Sequence, residues 1–234
     1  ICARRKSLLE DTSTEINKAT NRTVVPIVAD LTKTEDANSF IEQAVEKLGG
    51  VDILVNNAGS AAGGVLEFLT DDDWEAALQL KFFGYVRCTR AVVSCMKKQG
   101  GGRIVNLIGN DGVKPSYWEI APGAANAAGQ NLTISLAAQY GNDNISFVAV
   151  NPGPVRTERW SGLVKAMARD MNISVQEADQ LAPKSIPLGR IAECIEVANL
   201  VTYLASPLAH FVNGTMIEID GGQQKPLMDV YRDG

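Results

Sequence analysis

Short apolar runs and amphipathic stretches take turns along this chain, and that alternation restricts the fold more than any other feature. Residues 24–29, 51–55, 103–108, 145–150 and 215–219 each read as a strand. Their apolar character is nearly continuous, the pattern of strands covered on both faces. Between them, residues 7–19 and 34–48 are amphipathic at helical spacing, the second ending at Gly49-Gly50 as a C-cap. Asp71-Asp72-Asp73 opens a further helix with charges that suit its positive end. Small residues over 124–129 begin another. Strands and helices in this order imply crossover connections and a doubly wound α/β fold on a parallel sheet.

No linker, repeat or low-complexity tract divides the chain, so 1–234 reads as a single domain. Its 45% hydrophobic and 21% charged residues are those of an ordinary globule with a large core. A net charge of −5 with scattered Lys and Arg argues against nucleic acid and against an anionic membrane surface as partners. No run of about 18 apolar residues is present, so no membrane span is expected. The four cysteines lack metal-ligand spacing and read as reduced thiols of a cytoplasmic protein. With one histidine, His210, neither a histidine-based metal centre nor a triad is expected, and the site is taken to hold no metal.

Ile1-Cys2-Ala3 reads as the tail of a strand already under way. A doubly wound nucleotide fold opens with a strand, a glycine-rich turn and a helix. That strand and loop are missing from the sequence as it stands, and the expectation is a chain that represents the C-terminal, larger part of such a domain.

Asn56-Asn57-Ala58-Gly59 follows one strand and Asn151-Pro152-Gly153-Pro154-Val155-Arg156-Thr157 follows another. Pro187-Leu188-Gly189-Arg190, Glu196-Val197-Ala198 and Tyr203-Leu204-Ala205-Ser206 come next, and Asn213-Gly214 through Asp220-Gly221-Gly222 closes the series. This ordered set resembles the short-chain dehydrogenase/reductases over nearly the whole chain. The resemblance implies a Rossmann-like fold, NAD(P)-dependent carbonyl/alcohol hydride transfer on a small-molecule substrate, and a homodimer or homotetramer. It assigns cofactor contacts to Asp30 and Leu31 (adenine), to Asn57, Ala58 and Gly59, and to Pro152, Gly153, Val155 and Thr157 (nicotinamide). Small residues at a strand's carboxyl end let backbone approach a flat ligand. Arg4 and Arg5 stand where NAD-preferring members carry an acidic residue, and their planar forks suit a 2′-phosphate. NADP(H) is therefore expected over NAD(H). Residues 160–183, mixing Leu163, Met167 and Met171 with charges, correspond to a substrate lid over a partly apolar pocket.

The catalytic positions depart from the family. Its chemistry uses a Tyr and a Lys at i, i+4, stacked on one helix face so that the ammonium lowers the phenol's pKa. A Ser and an Asn complete the set. Aligned on the flanks, the Ser position falls on Gly109, the Tyr position on Pro122, the Lys position on Asn126 and the Asn position on Lys81. Two readings follow. In one, the protein is a reductase with a rearranged site. Lys81 then returns the positive charge from the other helix, Asn126 takes the exchanged place, Tyr117 supplies the proton, and Lys114 is a further source of charge. In the other, the fold persists without hydride transfer, as a nucleotide-binding or assembly partner.

Overall fold

The computed structural model describes residues 1–60 and 62–231. Its centre is a four-stranded parallel sheet of β3 (Ile53–Asn56), β4 (Gly102–Leu107), β5 (Ile145–Pro152) and β8 (Thr215–Ile219), in the order β3-β4-β5-β8. Two parallel pairs stand beside it. One joins β1 (Cys2–Ala3) to β2 (Ile27–Val28), and the other joins β6 (Val155–Arg156) to β7 (Ala192–Glu193).

Both faces of the central sheet are covered, as the continuous apolar runs require. Ile104 and Phe147 point into a core shared with Ile41 and Ala44 of α2 (Thr34–Leu48) and with Cys88, Val92 and Met96 of α4 (Gly84–Gln99). One residue along each strand, Val105 and Val148 turn to the opposite face and meet Val197 and Leu204 of α8 (Cys194–Ala205). This alternation is the pleat of a strand buried on two sides, and it bears out the doubly wound single-domain expectation.

Three boundaries differ from the sequence expectation. The run 24–29 gives only a two-residue β2, because it pairs with β1 alone and Pro26 has no N–H to donate. The helix expected from Ala124 begins four residues earlier as α5 (Ile120–Tyr140). Pro122 is tolerated there because the first-turn N–H groups of a helix have no intrahelical acceptor. Between α3 (Asp71–Leu78) and α4 lies one π-helical turn, Gln79–Phe83, which apolar periodicity does not reveal. Arg87 clamps that turn, donating to the Gln79 carbonyl at 3.0 Å and to the Leu31 carbonyl at 3.2 Å. Single π turns recur at functional sites because they re-aim one side chain. Here the residue in the middle is Lys81. Among the described residues, no helix is long and apolar enough to cross a membrane.

Candidate active site

The carboxyl ends of β3, β4 and β5 open into one cleft of about 680 Å³. Ligands of open α/β sheets bind at this edge, and the volume lies in the range of small-molecule sites. A buried amide ladder fixes the strand ends below it. Asn56 donates to Asn106 at 2.8 Å, and Asn106 donates to Thr133 of α5 at 2.9 Å.

One wall consists of turns. Asn57, Gly59, Pro152, Gly153, Val155 and Thr157 all line the cleft. Gly59 admits the stem of Lys81, since a Cβ there would sit 3.1 Å from Lys81 Cγ. Gly153 lies against Asp220, whose Cα would be 3.0 Å from an added Cβ. Thr157 caps α6 (Glu158–Met171) by accepting from the Trp160 N–H at 3.3 Å.

The facing wall is ionisable. Lys81, Asp111, Glu119 and Asn126 line it, with Arg159 of α6 at the side. Lys81 is only 7% exposed, and its ammonium has no hydrogen bond or ion pair among the described residues. Burial pushes it below the usual lysine range, while Asp111 and Glu119 pull it back up and Arg159 adds to the push. Asn126, 2% exposed, donates to Asp111, and its Oδ1 is buried without a partner among the described residues. Burial and the neighbouring Asp111 and Asp229 raise the Glu119 carboxyl to about 7, against the pull of Arg159 and Lys81. Tyr85 also reaches the cleft, but its hydroxyl donates to the Leu107 carbonyl at 2.5 Å and burial drives its pKa upward.

Position 109, where alignment on the flanks expects the family's Ser, leaves no room for a side chain. Gly109 has φ +151°, and an added Cβ would lie 2.5 Å from Asn126 Nδ2 and 2.8 Å from Asp111 Oδ1. The Asp111–Asn126 pair occupies the place a side chain at 109 would take.

The residues singled out from sequence fall into three groups. Lys81 and Asn126 come together on the ionisable wall, and Asn57, Gly59, Pro152, Gly153, Val155 and Thr157 on the turn wall. Ala58, between Asn57 and Gly59, is half-buried but does not line the cleft. Tyr117 is not brought to the wall either. It packs against the apolar cluster of Trp118, Trp160 and Met167, and its N–H points at Asp229 at 3.4 Å. Lys114 turns away too, into an ion pair with Asp220. Arg4, Arg5, Asp30 and Leu31 lie outside the cleft lining. Arg4 and Arg5 are exposed at the start of α1 (Lys6–Thr20). The Asp30 carboxyl is held below its usual range by the Thr32 hydroxyl and N–H, helped by Arg4 and Lys33. Leu31 is tied down through the Arg87 bond to its carbonyl.

Sequence reasoning missed Asp111, Glu119 and Arg159. Asp111 follows a strand end by a few residues, and Glu119 stands three before Pro122, directly ahead of the first turn of α5. Over the cleft, Trp160, Leu163 and Met167 of α6 form an apolar cover, with Trp160 donating to Asp179 of α7 (Val175–Leu181) at 2.8 Å.

Comparison with known proteins agrees with this architecture. Residues 1–224 match a family model described as enoyl-(acyl carrier protein) reductase. A 3-oxoacyl-[acyl-carrier-protein] reductase of Thermotoga maritima is 32% identical over 199 residues, covering 85% of this chain and 76% of that protein. L-sorbose reductase from Gluconobacter frateurii, solved with NADPH and L-sorbose, superposes with a TM-score of 0.89 at 28% identity, over 97% of this chain and 86% of that one. An NADPH-bound short-chain oxidoreductase from Pseudomonas aeruginosa, described as containing an atypical catalytic center, gives 0.85 at 29% identity, over 94% and 84% of the two chains.

Proposed function

The chain belongs to the short-chain dehydrogenase/reductase family, and from that premise we propose that it is an NADP(H)-dependent oxidoreductase that interconverts a carbonyl and an alcohol on a small, partly apolar substrate at a rearranged catalytic site. One observation carries this reading. At the sheet edge where such folds bind ligands, Lys81, a largely buried lysine with no hydrogen bond or ion pair among the described residues, and the buried Asn126 Oδ1, which has no partner among them, line one cleft. A cleft kept only by descent would have no reason to retain such groups, since each costs stability unless a ligand engages it.

The residues fit the nicotinamide end of the cofactor. Asn57, Ala58, Gly59, Pro152, Gly153, Val155 and Thr157 would hold it, with glycines where backbone must come close. The Asn126 oxygen offers an acceptor that the protein leaves unused. Arg4 and Arg5 would take the 2′-phosphate, with Asp30 and Leu31 beside the adenine. The relatives solved with NADPH support the choice of NADP(H). When bound, the nicotinamide supplies or accepts the hydride. Lys81 then stabilises negative charge developing on the substrate oxygen, in a site dry enough for one charge to matter. Asn126 orients Asp111 and the ligand. Residues 160–183 act as the lid that excludes water, and Tyr117 packs beneath that lid. The four free thiols are in keeping with a cytoplasmic enzyme. Dimers or tetramers through α4 and α5 complete the reading.

The test is NADPH oxidation against aldehydes, ketones, sugars and steroids, with NADPH affinity measured alongside. Turnover with at least one carbonyl, lost in Lys81→Met while NADPH still binds, is the expected result. Tight NADPH binding with no turnover anywhere would favour the nucleotide-binding partner instead.

A further inference from the structure

The family's Tyr is replaced by Pro122, so a proton must come from another group. Asn126 has no proton to give at neutral pH. Tyr85 is bonded to the Leu107 carbonyl, and Tyr117 stands off the wall. Asp111 is already engaged, accepting from the Asn126 amide. Glu119 remains. It is the N-cap residue of α5, and it lines the cleft. It stands three residues ahead of Pro122, just before the first turn of α5, and lines the same cleft as Asn126. The chain on either side is pinned. The Gly64 N–H donates to the Trp118 carbonyl at 2.7 Å, Gly64 bridges to Glu119, and the Trp118 ring donates to Asp170 at 2.8 Å. The Glu119 carboxyl itself takes no hydrogen bond from the described residues.

We propose that Glu119 is the catalytic acid, giving its proton to the substrate oxygen in the place of the family's tyrosine. The inference rests on the oxidoreductase reading above. In reduction the carbonyl carbon gains a hydride from the dihydronicotinamide, the C=O π electrons move to oxygen, and that oxygen takes the proton from the Glu119 carboxyl. The product is the alcohol, and the carboxylate left behind faces the Lys81 ammonium until water reprotonates it. Oxidation runs the same steps backwards, with Glu119 as base. The charged groups facing it are Lys81 from the π turn, Asp111 from the loop after β4, Arg159 from α6 and Asp229 from the C-terminal segment. Together with burial they leave it protonated through much of the neutral range, its pKa lying at about 7.

The experiment compares wild type with Glu119→Gln, Glu119→Asp and Glu119→Ala in NADPH-dependent reduction across pH. Wild-type kcat/KM should fall as pH rises through about 7. Glu119→Gln should lose about a hundredfold or more in kcat with unchanged NADPH affinity, and it should lose that alkaline limb. Glu119→Asp should keep a limb, and added acetate should restore part of the Glu119→Ala rate, responses that a merely structural role would not give. Glu119→Gln turning over within about threefold of wild type with the limb in place would overturn the proposal. So would a slow Glu119→Ala that acetate leaves untouched. A wild type that oxidises no NADPH would sink the oxidoreductase reading along with this one, whereas an active wild type matched by Glu119→Gln would sink this one alone.

Discussion

Across the cleft, the wall of Asn57, Gly59 and residues 152–157 is made of turns and small side chains, while the opposite wall gathers Lys81, Asp111, Glu119 and Asn126. The first is shaped by backbone, and its glycines sit where a methyl group would meet neighbouring atoms. The second is shaped by polar groups, with a largely buried lysine, an amide oxygen without a partner among the described residues and a carboxyl lifted to about 7. A wall of the first kind adds to stability and is indifferent to pH. A wall of the second kind lowers stability, and that is how sites are preorganised for charge that develops only during reaction.

Substitutions can set the walls against each other. The largest effect is expected at Lys81. Lys81→Met should reduce kcat by roughly 10²–10³, yet raise the melting temperature, because an unpaired buried charge is replaced by an apolar side chain of similar volume. A melting curve and a rate assay on one preparation check both signs, and a destabilised Lys81→Met would blur the contrast. Gly153→Ala should behave in the opposite way. Its Cβ would press on the Asp220 backbone at 3.0 Å, costing ~1–3 kcal/mol of stability and weakening NADPH binding, with the pH profile unmoved. Gly109→Ser, which introduces the Ser that alignment on the flanks expects there, should destabilise by about 2 kcal/mol, since its φ and the Asp111–Asn126 pair both oppose a side chain. Recovery of activity in that variant would show that the two walls are less distinct than drawn.

The smaller effects concern pH. Glu119 has a folded pKa raised above the ordinary 4.5, so the unfolded chain releases its proton first as pH rises. Its contribution to stability is complete below 4.5 and is lost as pH climbs to about 7. Glu119→Gln should therefore match wild type in denaturant melts at low pH and exceed it above 7, by something on the order of 3 kcal/mol. Arg159 pulls the same carboxyl down. Arg159→Leu should thus move the alkaline limb of the reduction profile to higher pH, by a fraction of a unit.

The turn wall and the sheet beneath it were legible in the sequence because both follow from periodicity and from Gly and Pro punctuation. Asn57, Gly59 and Pro152 stand at strand ends, where the strand run itself announces them. Lys81 and Asn126 were legible only as departures from a pattern. Glu119 was not, because a Glu before an apolar helix reads as an ordinary N-terminal charge. What distinguishes it is burial beside Asp111 and Asp229, the second of which comes from a segment distant in sequence. Tyr117 was an attractive substitute by residue type, but the ring is drawn into the apolar cluster around Trp118 and Trp160. The start of α5 was misplaced because small residues at 124–129 mask where the helix begins.

The most direct measurement follows deuterium from 4-deuterated NADPH into product by mass spectrometry, for wild type and Lys81→Met. The account predicts a labelled alcohol from wild type and about a hundredfold or more less of it from Lys81→Met in the same time, with both binding NADPH equally. NADPH bound by wild type but no deuterium delivered to any carbonyl would contradict it, leaving a nucleotide-binding fold without the chemistry.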